Sequence, residues 1–227
     1  MPLPVKTVTM VVHNWIFYNV YLLLNMILLG QAKDSGSSAD DFKNNEEKNI
    51  ATYQKLFRYQ RSLQKEAINH LLQMNTVNQY KFTKSTLEEI FKILTEARND
   101  LTKWGYLAED AFPSNMTVRN SLSQILEKTA LFSDLMLKLP DVAHDLFDKN
   151  DPWRICIAWC IVFCQKSKIY DDVHQKMLAV LSQELEFIPK DPAYSNPFRK
   201  TVEASLPKEV VKTKKKPKKG PKLSQNV

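Results

Sequence analysis

The sequence predicts an all-α fold: a single irregular bundle of about five or six helices, followed by a disordered basic tail. Three observations carry that expectation. Apolar residues recur at helical spacing through the middle of the chain, only four glycines occur among 227 residues, and 44% of the residues are apolar. A chain of this length supplies one domain of ordinary size plus tails. The expected organisation is a signal peptide over 1–32, a flexible linker over 33–44, a helical domain over 45–188, and an extended then disordered Lys-rich tail over 189–227.

The net charge of +7 is unevenly spread. Phe198 to Val227 holds ten Lys or Arg against two Asp or Glu, and Lys6 is the only charge in the first 32 residues. Between Lys33 and Pro197, 21 basic and 23 acidic residues nearly cancel. The folded part is close to neutral, and the basic character belongs to the tail.

The first segment, "MPLPVKTVTMVVHNWIFYNVYLLLNMILLGQAKD", has one positive charge, a long apolar region, and small residues Gly30 and Ala32 ahead of a cut between Ala32 and Lys33. That is the pattern of a secretory signal. A signal anchor competes, because the apolar region from Val8 to Leu29 is long. His13, Asn14, Asn19 and Asn25 interrupt it, so no stable membrane span is expected after cleavage. A buried N-terminal helix is the third alternative. Asn115-Met116-Thr117 is the single Asn-x-Ser/Thr sequon and lies beside Pro113 in a predicted loop, which makes Asn115 the expected glycan acceptor in an exported chain.

Each helix has its own signal. From about Asn45 to Gln73, Ile50, Tyr53, Leu56, Phe57, Leu63, Ala67, Ile68, Leu71 and Leu72 recur on one face, without the strict heptad of a zipper. In "STLEEIFKILTEARNDLTKWG", Ser85 and Glu88 suggest a capping box. Leu87, Ile90, Phe91, Leu94, Ala97 and Leu101 form a core face, and Gly105 closes the end. A third helix is expected from Met116 to Leu139, where Pro140 interrupts it and a short piece runs on to Phe147. "NDPWRICIAWCIVFCQK" reads as a buried helix capped by Asn150 or Asp151, with Pro152 in its first turn. The last helix is expected over Asp172 to Leu185, before Pro189, Pro192 and Pro197 end regular structure.

No residue pattern points to catalysis, and no catalytic residue, cofactor or metal ligand is assigned. Cys156, Cys160 and Cys164 lie along one helix face among aliphatic and aromatic neighbours, so they read as buried free thiols rather than metal ligands or disulfides. His13, His70, His144 and His174 show no metal spacing. His144 and Asp148, one turn apart, read as a surface helix contact. The acid pairs Glu88/Glu89 and Glu184/Glu186 read as solvated helix faces, and Trp153 and Trp159 as core. Neither GxxxxGK[ST], GxGxxG nor GxSxG occurs. No small-molecule substrate is expected.

The tail "KTKKKPKKGPK" presents Lys212, Lys214, Lys215, Lys216, Lys218, Lys219 and Lys222 as a candidate partner-binding segment. Broken by Pro217, Gly220 and Pro221, it cannot bury a core. Without interleaved aromatics it is not expected to bind a specific nucleic acid. In a cytosolic chain "KKKPKK" would serve nuclear import. In the secretory pathway it would meet acidic proteins, anionic lipids or glycans.

"EKTALFSDLMLKLP" (Glu127 to Pro140), "LFDKNDPWRICIAWCIVFC" (Leu146 to Cys164), "QELEF" (Gln183 to Phe187) and "NPFRK" (Asn196 to Lys200) resemble the coiled-coil domain-containing protein 134 family of animals in order and spacing. "QMNTVNQYK" and "FKILTEAR" agree more loosely, and "KKGPKLSQ" is similar to that family's end. The resemblance covers about two-thirds of the chain. It implies a non-enzymatic helical adaptor of the endoplasmic reticulum lumen or a secreted one. The implied partner is the reticulum's Hsp90-class chaperone (endoplasmin), protected from excess N-glycosylation and degradation, with the N-glycosylation machinery as a further contact. It also implies secreted regulation of MAP-kinase (ERK/JNK) signalling, and a nuclear role as a binding module acting with an acetyltransferase adaptor. Two departures stand out. Family members can end in a retention-like acidic tetrapeptide where this chain ends "SQNV", and Asn115 is not at the position expected of the family's glycan. Of the three cysteines, Cys164 fits the family pattern best.

Overall fold

The computed structural model describes residues 39–199. The signal segment with Ala32 and Lys33, and the tail lysines from Lys212 to Lys222, lie outside the described residues. Among the described residues there are six α-helices and no strand. They are α1 (Ala39–Leu72), α2 (Thr76–Lys103), α3 (Met116–Lys138), α4 (Pro140–Phe147), α5 (Asp151–Lys166) and α6 (Asp172–Glu184). The all-α expectation holds. No helix among the described residues is long and apolar enough to cross a membrane.

Two boundaries differ from the expectation. Helix α1 begins at Ala39, inside the segment read as a linker. Its first turns are polar, so apolar spacing cannot reveal them, although acidic residues such as Asp40 and Asp41 suit a helix N-terminus. Helix α2 starts at Thr76 rather than at Ser85. Asn75 caps it, accepting from the Asn78 backbone N–H at 2.9 Å. Ser85 and Glu88 therefore lie inside the helix, because "TVNQYKFTK" contains no breaker and a cap motif carries no weight once a stronger cap precedes it.

The hairpin between α1 and α2 is closed by the Gln79 side chain, which donates to the Leu71 and Leu72 carbonyls at 3.3 and 3.1 Å. These are the carbonyls that the end of α1 leaves without helical partners. At the other end of α2, Gly105 has φ +65°. Its N–H donates to Thr102 O at 3.1 Å and that of Tyr106 to Leu101 O at 3.0 Å, a Schellman closure at the predicted position. Helix α6 ends the same way with Glu186 in the left-handed role at φ 58°.

Helix α3 is the centre of the bundle and packs against each of the others. It is buried nearly all round, which a helix at the middle of a bundle requires. Two of its hydroxyls bond within the helix, Ser123 donating to Arg119 O and Ser133 to Thr129 O at 3.0 and 2.7 Å, while Ser121 donates to Asp100 Oδ2 of α2 at 3.2 Å. The expected α2 face of Leu87, Ile90, Phe91, Leu94, Ala97 and Leu101 is buried against it. Phe91 also stacks on Trp153 of α5, with ring centroids 4.5 Å apart and planes 8° from parallel. Pro140 occupies the first turn of α4, where its missing N–H has no helical acceptor to lose.

The α1 face holds a feature that apolar spacing does not show. Arg61 and Gln64 are buried there, and Arg61 Nη2 lies 2.7 Å from Asp134 Oδ2 of α3. Arg61 Nη1 donates to Gln64 Oε1 at 2.6 Å. A guanidinium in this position is compatible with burial because its two terminal nitrogens are met by a neutral and a charged acceptor, although its buried Nε has no partner among the described residues.

Candidate functional site

Helix α6 carries "QELEF", and the segment after it carries "NPFRK". The fold brings these two stretches together at Glu184. The expectation of a solvated Glu184 is corrected: its residue is 2% exposed, whereas Glu186, Glu88 and Glu89 do face solvent. Three side chains from two parts of the chain converge on its carboxylate. Tyr194 Oη donates to Oε2 at 2.6 Å, Arg199 Nη2 to Oε1 at 2.6 Å, and His144 Nε2 of α4 lies 3.1 Å from Oε1. Burial pushes the Glu184 carboxyl up, but the Tyr194 and Arg199 hydrogen bonds, the Arg199 charge and His144 outweigh it and hold it at about 2. Burial and the hydrogen bond to Glu184 push the Tyr194 phenol well above its ordinary value in turn, which keeps it a donor.

His144 and Asp148 do meet on the surface of α4, with Nδ1 3.0 Å from Oδ2. The second ring nitrogen faces Glu184, so the helix contact expected from sequence is one half of a bridge between α4 and α6. The two nitrogens of one ring thus face two carboxylates, one at the end of α4 and the other on α6. The segment from Pro189 to Arg199, expected to be extended and apart from the domain, is instead tied back onto α6. Asp191 N donates to Gln183 Oε1 at 2.9 Å, and turns close at Tyr194 and Arg199. This junction holds the last described residues against α6.

Asn115 is exposed at the end of the loop that precedes α3, where it is the N-cap of that helix. Its Oδ1 accepts from the Thr117 and Val118 N–H groups at 2.9 and 3.2 Å. The cap uses the oxygen and leaves Nδ2, the atom a glycan would occupy, out of the capping bonds. The cap and a glycan are therefore chemically compatible.

Cys156, Cys160 and Cys164 are free and buried on α5. A hydrogen bond with Cys160, opposed by burial and aided by Thr95 and Arg98, brings the Cys156 thiol down to about 7. Burial pushes Cys164 up to about 12. Among the described residues, no group of three His, Cys, Asp or Glu side chains is placed to hold a metal ion. Trp153 sits in the aromatic core with Phe91. Trp159 lies at the rim, stacked on Phe163 at 4.9 Å and under the Arg98 guanidinium at 5.2 Å.

Glu184 escaped the sequence reading because an isolated carboxylate on an amphipathic helix has the same local pattern whether solvated or buried. The one available signal was the proximity in sequence of Tyr194 and Arg199, both beyond the helix end.

Comparison with known proteins agrees with this layout. A family model described as "ERK and JNK pathways, inhibitor" matches residues 38–224 and so spans all six helices. Coiled-coil domain-containing protein 134 of Xenopus tropicalis is 35% identical over 181 residues, covering 79% of this chain and 76% of the relative. The protein of that name from Mus musculus is 32% identical over 152 residues, covering 66% of each. No solved structure matches. The α5 helix and the Glu184 junction lie inside the range the family model matches, and the chain belongs to the coiled-coil domain-containing protein 134 family.

Proposed function

We propose that this chain is a non-enzymatic helical regulator that lowers ERK and JNK signalling through protein–protein contact, acting from the secretory pathway. The supporting observation is the family match over residues 38–224, whose description is an inhibitor of those two pathways. The architecture suits the role, since its most elaborate polar arrangement, the Glu184 junction, ties chain segments together around a buried carboxylate. The test is direct. Purified full-length protein added to cultured cells lowers phosphorylated ERK and JNK after stimulation, and unchanged phosphorylation of both sinks the reading.

A second reading is the luminal adaptor of the Hsp90-class chaperone, with the lysine-rich tail or a helix face as the contact. The exposed Asn115 is compatible with a luminal chain, because its cap uses Oδ1 and not the Nδ2 that a glycan would occupy. Expressed in animal cells, the chain then starts at Lys33 and carries an endoglycosidase-sensitive glycan. Thr117→Ala removes the glycan while leaving the Asn115 cap intact. An intact Met1 with no glycan removes both secretory readings. Deletion of Lys208 to Val227 abolishes chaperone co-purification if the tail is the contact, and unchanged recovery excludes the tail.

A further inference from the structure

Helix α5 is apolar on two faces. One packs on α2, α3 and α6, and the other points outward. On the outer face Ile155 is 66% exposed and Val162 52%, with Ala158 and Trp159 half-buried between them. No charged side chain occurs between Arg154 and Lys166. Positions 155, 159 and 162 follow the spacing of one helix face, and the stripe is roughly 10 Å long at the α-helical rise. Two exposed aliphatic side chains flanking two half-buried ones give this helix an outward apolar stripe that a partner surface can cover.

We propose that this stripe is a self-association surface, on which α5 of a second copy of this chain lies antiparallel about a two-fold axis between Ala158 and Trp159. The occupant is chosen by symmetry and charge. In that register Ile155 meets Val162 of the second copy, Ala158 meets Trp159, and the first-turn Asp151 meets the last-turn Lys166. Every pairing occurs twice, as a two-fold contact requires. Apolar residues meet apolar residues and opposite charges meet at both ends. Ala158, being small, allows close approach opposite the indole of Trp159.

Two existing interactions bear on this register. Lys166 lies 3.6 Å from Glu109, with both side chains more than half exposed, so that surface pair exchanges at little cost. Arg98 rests on Trp159, and the two-fold places both guanidinium groups on one side of the seam. Solvent at the rim screens that repulsion. One helix face is small for an interface, below about 1,200 Å² in total, so the dissociation constant falls in the range of about 1–100 µM.

Sedimentation equilibrium of the full chain from animal cells, from about 1 to 200 µM, tests this. The wild type is expected to dimerise reversibly. Asp151→Lys and Lys166→Asp each weaken self-association at least about tenfold, because each places like charges together at both ends. Their equimolar mixture recovers wild-type association, since the mixed dimer regains both opposite-charge contacts. Val162→Glu, at an exposed position, abolishes association while leaving the circular dichroism melt unchanged. A chain that stays monomeric throughout overturns the proposal. So does a dimer that survives Val162→Glu, or a mixture no tighter than its components.

Discussion

Arg199 donates to the buried Glu184 carboxylate at 2.6 Å across 15 residues of chain, joining the end of the last helix to the segment that leads into the lysine-rich tail. Three donors at one carboxylate make the junction sensitive to loss of any partner. Glu184→Ala or Arg199→Ala is expected to destabilise the domain by about 1–2 kcal/mol, a modest figure because Arg199 is half exposed. Limited proteolysis between Pro189 and Arg199 should accelerate in both variants. Cleavage at the wild-type rate would show that this segment is held by other contacts. With the carboxyl held at about 2 against an ordinary 4.5, its contribution is complete above pH 4.5 and disappears as the pH falls toward 2. Chemical denaturation at pH 3 and pH 6 should therefore show a smaller wild-type-to-Glu184→Gln difference at pH 3.

Glu127 has the opposite sign. Burial, only partly offset by Lys128 and Arg61, raises its carboxyl to about 7. The unfolded chain loses this proton near pH 4.5 and the folded chain near 7, so stability falls as the pH rises through that window. Glu127→Gln is expected to stabilise the domain by roughly 1–2 kcal/mol at pH 8 and to have little effect at pH 4. A stabilisation equal at both pH values would contradict this account.

The Arg61–Asp134 pair is a buried ion pair between α1 and α3. Removing one partner strands the other charge, so Asp134→Ala should cost about 3–5 kcal/mol in thermal or urea unfolding. Replacing both with apolar residues, Arg61→Met with Asp134→Leu, should recover most of that loss. If the double variant is as unstable as the single one, packing and not stranded charge sets the cost.

Glu186 occupies a left-handed position at φ 58°, which disfavours any residue with a Cβ. Glu186→Gly relieves this strain and loses only an exposed pair with Lys190. A gain of about 0.5–1 kcal/mol is expected, read as a raised melting temperature. A lowered melting temperature would mean that glycine's unfolded-state entropy outweighs the strain.

The three thiols should separate by reactivity. Cys156, 6% exposed and brought down to about 7, reacts first with a maleimide or disulfide reagent at pH 8. Cys164, pushed up to about 12 by burial, reacts only on unfolding. Mass spectrometry of partially labelled native protein gives the order, and early labelling at Cys164 would contradict it.

Much of this architecture was legible in the amino-acid order. The α2 core face, the Gly105 closure, the Pro140 break and the Asn150 start of α5 are local signals, set by side-chain spacing, a positive φ or a missing N–H within one or two turns. The start of α2 was misplaced because two adequate caps, Asn75 and Ser85, compete and only helix continuity between them decides.

The sequence by itself determined an all-α chain, its helix ends at strong punctuation, its apolar faces and the uneven placement of its charge. These follow from backbone and side-chain chemistry over a few residues. Only tertiary structure decided which polar groups enter the core. Arg61 and Asp134 stand 73 residues apart, and His144 and Glu184 stand 40 apart. A buried charge is tolerated only when a partner arrives from elsewhere in the fold, and no local pattern records that arrival. The same holds for the outer stripe of α5. Its residues read as core from their composition, and only the packing of α2, α3 and α6 on the opposite face leaves Ile155 and Val162 in solvent.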